Sequence, residues 1–79
     1  PIMTTEEKEH IAKRVSSALA RGLESRVFGI ADAARMAEMC LGLIDQTESK
    51  TEFYAALKQN TSDNLPESFI DGILQAQEN

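Results

Sequence analysis

The chain has 79 residues, enough for one domain or part of one, and a domain of this size buries only about 60% of the surface its unfolded form exposes. Apolar residues at 42% and charged residues at 27% fit a folded soluble globule, which argues against both disorder and a membrane-embedded chain. Thirteen acids against eight bases give a net charge of -5, which disfavours wholesale attraction to nucleic acid phosphates.

The charge is uneven. Residues 1 to 35 hold six bases and five acids, whereas the remainder holds Lys50 and Lys58 against eight acids. No apolar run approaches the roughly 18 residues of a spanning helix, and no basic start followed by an apolar stretch marks a secretory signal. Residues 1–3 are expected to be a tag remnant or an unstructured start, with one helical domain over residues 4–77.

A first helix is expected from Thr4, because Thr4-Thr5-Glu6-Glu7 has capping-box spacing and places acids where the helix dipole favours them. Ile11, Val15, Ala18, Leu19 and Gly22 or Leu23 recur at steps of three and four. His10, Arg14, Ser17 and Arg21 form the opposite, basic stripe. Two endings stay open: Gly22 caps the helix, or it frays through Glu24, Ser25 and Arg26.

Gly29-Ile30-Ala31-Asp32 reads as the turn into a second helix, with Asp32 as cap or first-turn acid. Only Arg35, Glu38, Gly42 and Asp45 interrupt its apolar surface, and they fall on one narrow stripe. The helix from Asp32 to Ile44 is therefore expected to be central and the most buried element, so that Leu41→Ala would cost roughly 2 to 5 kcal/mol. Ser49-Lys50-Thr51-Glu52 is a second capping box, opening a shorter helix with Phe53, Ala56 and Leu57 inward and Tyr54 at its edge. Asn60 to Asn64 form a turn-rich loop. Pro66, at a first helical position, starts a fourth helix with Phe69, Ile70, Ile73 and Leu74 inward. The pattern predicts an all-α bundle of four to five helices.

Catalytic constellations are missing from the sequence. His10 is the only histidine and reads as a solvated helix residue. Cys40, the only cysteine, lies among apolar neighbours that raise rather than lower a thiol pKa, so it reads as core packing in a reducing compartment. The glycines form no phosphate loop, and Asp45, Glu48 and Glu52 read as solvated carboxylates rather than an acid–base pair. No metal or cofactor is expected.

Two surfaces carry the binding expectations. The first lies between the third and fourth helices, centred on Tyr54 and rimmed by Glu48, Glu52, Asp63, Glu67 and Asp71, which would attract a basic peptide segment of a protein partner. Its alternative is a solvated acidic face with Tyr54 packed against the bundle. The second surface is the basic face of Lys13, Arg14 and Arg21, which could contact RNA. A self-associating bundle is a third reading, motivated by the apolar second helix, with a monomer preferred.

The order Gly29-Ile30-Ala31-Asp32, Ala37-Glu38 leading into Met39 to Ile44, Thr51-Glu52-Phe53 with Leu57, and Phe69-Ile70 with Ile73-Leu74 resembles the PWI-like helical domain at the N-terminus of spliceosomal DEAH-box RNA helicases. The similarity runs from about Ile11 to Gln77. It implies a non-catalytic protein-interaction appendage of a nuclear, pre-mRNA splicing helicase, with the ATPase motor outside these residues. The chain is similar in the same way to the N-terminal domain of nuclear poly(A)-RNA-binding zinc-finger proteins. Met39 to Asp45 also resemble the peptide-binding C-terminal domain of poly(A)-binding protein, more faintly.

Overall fold

A computed structural model describes residues 3–60 and 65–78, which fold into four helices without strands among the described residues. They are α1 (Thr5–Glu24), α2 (Ile30–Gln46), α3 (Lys50–Gln59) and α4 (Glu67–Glu78). The loop expected over Asn60 to Asn64 lies outside the described residues beyond Asn60. The fold is all-α, as the periodicity predicts.

Local chemistry sets the helix starts. Thr4 caps α1 through a reciprocal box: its Oγ1 accepts from the Glu7 N–H at 3.1 Å, and the Glu7 carboxylate accepts from the Thr4 N–H at 3.2 Å. At α3 the Ser49 Oγ accepts from the Glu52 N–H at 3.1 Å, but the Glu52 carboxylate reaches one residue further back, to the Glu48 N–H at 2.9 Å. Gly29 precedes α2 without a side-chain cap, so Asp32 takes the first-turn role and lies 3.9 Å from Arg35. Before α4 the Pro66 carbonyl accepts from Phe69 and Ile70, which places proline one residue ahead of the first helical position, within the ordinary spread of helix boundaries.

The end of α1 lies beyond Gly22, which therefore does not cap it. The helix passes Gly22 and closes with a Schellman pattern, in which Val27 N–H donates to the Gly22 carbonyl at 2.9 Å and Arg26 N–H to that of Leu23 at 3.2 Å. Arg26 takes the left-handed position there, at φ 59°, which glycine occupies without a Cβ penalty. Arg26→Gly is therefore expected to stabilise the domain by about 0.5 to 1 kcal/mol, read as a rise in the urea midpoint at unchanged m-value.

Gly22 is needed for space. A Cβ built on it would overlap the Phe28 ring, which also meets Phe69 edge-on with centroids 6.1 Å apart. Gly22→Ala is expected to lower stability by about 1 kcal/mol in the native sequence, since overpacking outweighs the gain in helix propensity. In a Phe28→Ala background the same change is expected to raise stability by roughly that amount, because only the propensity gain is left. A double-mutant cycle in urea checks this, and additive effects would refute the packing account.

The helices form a ring. α1 packs chiefly on α4 and α2, and α3 closes the circuit by contacting α2 and α4. Ile11, Val15 and Ala18 enter the core from α1, Phe53 and Leu57 from α3, and Phe69, Ile70 and Ile73 from α4. Two residues outside the helices join them. Leu65, in hydrophobic-staple position relative to Ile70, is fully buried. Met3, expected in an unstructured start, is buried too.

The expectation for α2 requires correction. Ala33, Met36, Cys40 and Ile44 form a buried stripe, but Leu41 is 57% exposed and Ile30 81% exposed. The reason is topological: in a four-membered ring α2 has α1 and α3 as its main neighbours, and two neighbours cover about half a helix. Its apolar arc is wider than that cover. α2 is one side of the ring and not its centre.

Candidate partner-binding surface

Tyr54 is not an exposed anchor. It is 7% exposed, meets Phe53 edge-on at 5.3 Å, and its hydroxyl oxygen accepts a hydrogen bond from Arg14 Nη1 at 2.9 Å. A buried tyrosine hydroxyl needs such a partner, and half-buried Arg14 supplies it from α1. The alternative of Tyr54 packed against the bundle is thus the one realised.

The expected acidic rim loses its centre with Tyr54. Glu48, Glu52, Glu67 and Asp71 are exposed as expected, and Asp63 lies outside the described residues. Glu48 and Glu52 sit at the start of α3, where the Glu52 carboxylate is engaged in capping. Asp71 instead lines a groove of about 310 Å³ between α1 and α4, together with Arg21, Gly22, Phe28, Phe69 and Gly72. Glu67 and Asp71 lie one turn apart on α4, and Glu48 and Glu52 lie at the start of α3.

The basic face of α1 is also divided. Arg14 is half-buried and committed to Tyr54, while Lys13 and Arg21 are exposed but about 12 Å apart along the helix and turned some 80° from each other. Two separated cations make a thin footprint for a phosphate backbone.

What the sequence missed is apolar. The large hydrophobic residues that the described structure leaves exposed are Leu23, Val27, Ile30 and Leu41, all in the last turn of α1, the connection after it, or α2. For Ile30 and Leu41 the signal was present in the excess width of the α2 apolar arc, which can mean either deep burial or a face left uncovered. No buried side-chain polar atom among the described residues lacks a partner, so the interior holds no strained polar group.

Cys40 is fully buried, and burial pushes its thiol from 9.0 up to about 11. His10 is exposed, as expected. No group of three or more potential metal ligands occurs among the described residues, and no described helix is long and apolar enough to cross a membrane. No protein-family model, curated protein or solved structure matches the chain.

Proposed function

We propose that this domain is a non-catalytic protein-interaction module, which presents the α1–α2 side of its bundle to a partner. The observation that carries the proposal is the confinement of exposed large hydrophobics, among the described residues, to that side, with Ile30 and Leu41 projecting from a helix whose adjacent stripe is buried. Apolar side chains held out by a rigid helix are the usual anchors of an interface. The resemblance to PWI-like domains supports a finer reading, in which the chain serves as the N-terminal appendage of a nuclear pre-mRNA splicing DEAH-box helicase. Direct RNA binding is the weaker alternative, because Arg14 is engaged by Tyr54.

The test is cross-linking of the full chain in nuclear extract, with the captured proteins identified. Recovery of splicing or other mRNA-processing proteins is expected. Recovery of unrelated proteins would remove the helicase assignment, and recovery of none would remove the interaction reading. Sedimentation at several concentrations is expected to give a monomer. A dimer would favour self-association instead.

A further inference from the structure

Ile30, Ala34, Ala37 and Leu41 follow one another at steps of four, three and four along α2, the spacing with which one helix meets another in a coiled-coil seam. Ile30, Ala34 and Leu41 are exposed and Ala37 is half-buried. The two sides of this seam differ. On one side lie Ala33 and Cys40, both buried in the bundle; on the other lie Glu38 and Asp45, each four residues after a seam position and both exposed. Neither carboxylate has an ion-pair partner among the described residues, and the nearest base on the same helix, Arg35, is engaged with Asp32.

We infer that this stripe is a docking seam for an amphipathic, basic helix of a partner protein. The inference rests on the interaction reading above and names the face and the partner chemistry. The spacing specifies a helix as the occupant, since an extended strand presents side chains with a period of two. The small side chains at Ala34 and Ala37 let the incoming helix approach closely between the Ile30 and Leu41 anchors. The acids specify the sign: lysine or arginine on the partner's flank would meet Glu38 and Asp45. A second copy of this chain fits poorly. The only base on its α2 is Arg35, which is engaged with Asp32, and two molecules each carrying a net charge of -5 repel one another.

The probe is a short synthetic helix with leucine along its seam and lysine on its flanks, compared with the same helix carrying glutamate on its flanks. Each is titrated into the isotope-labelled full chain and followed by amide NMR. The lysine helix is expected to bind more tightly and to shift the resonances of Ile30, Ala34 and Leu41. Glu38→Lys with Asp45→Lys is expected to weaken it about fivefold, and Ile30→Glu or Leu41→Glu by more than about tenfold. These side chains are exposed, so circular dichroism should show the variants folded. Equal binding of both helices, shifts centred on the α1–α4 groove, or no binding would each overturn the assignment. The interaction reading fails separately: if Ile30→Glu and Leu41→Glu chains still capture the wild-type partners from extract, only the seam is refuted, whereas a wild-type chain that captures none refutes the reading beneath it.

Discussion

Replacing Phe53 by alanine is expected to cost about 3 to 5 kcal/mol and to leave the chain largely unfolded at 37 °C, while Leu41→Ala should change stability by less than about 0.5 kcal/mol. Phe53 is the largest fully buried side chain of the described core, and it enters from α3, a short helix of 10 residues whose own propensity cannot hold it. A domain of this length has roughly 4 to 12 kcal/mol of stability in all, and small domains fall toward the lower end. One emptied aromatic site can therefore consume most of it. Leu41 has most of its surface in water already, so truncation removes little burial and alanine favours the helix. Urea unfolding followed by circular dichroism reads both values. A Leu41→Ala cost near that of a core truncation would mean that the Leu41 face of α2 is covered rather than open.

The caps and the core stripes of α1, α3 and α4 were legible in the sequence because each depends on residues three or four apart. Thr4 with Glu7, Ser49 with Glu52, Phe53 with Leu57, the Ile11-Val15-Ala18 stripe, and Ile73 with both Phe69 and Ile70 are all of this kind. The width of the apolar arc of α2 was equally legible, but its meaning was not. Periodicity reports which side chains avoid water and says nothing of how many helices stand around them. Tyr54 failed for a related reason: what makes its burial tolerable is Arg14, 40 residues away in the chain, and no local pattern announces that pairing. The α1–α2 turn was ambiguous because its two functions are split. Gly22 is kept for the Phe28 ring, and the left-handed position falls on Arg26.

Cys40 offers the most sensitive chemical readout of the fold. Its thiol is fully buried and raised by burial to about 11 from 9.0, so at pH 8 roughly one thiol in a thousand is ionised in the folded state against about one in ten in the unfolded chain. Access is closed as well. Alkylation at that pH is expected to be at least about a thousandfold slower in the native protein than in urea, because the reagent must wait for the bundle to open. The same shift fixes a pH dependence. Below pH 9.0 both states hold the proton and stability is unaffected; as the pH rises toward about 11 the unfolded chain releases it and the folded chain does not. Stability contributed by the raised pKa is thus present below the unfolded value and is lost progressively across that window, by about 2 to 3 kcal/mol at its upper end. Cys40→Ala, which keeps the helix and removes the thiol, should lack this component, so the difference between wild-type and variant stability isolates it from the other groups that titrate there. Parallel stability curves for the two proteins between pH 8 and about 11, or native labelling as fast as in urea, would show that Cys40 is open to water and that the α2 stripe at whose centre it sits is not part of the core.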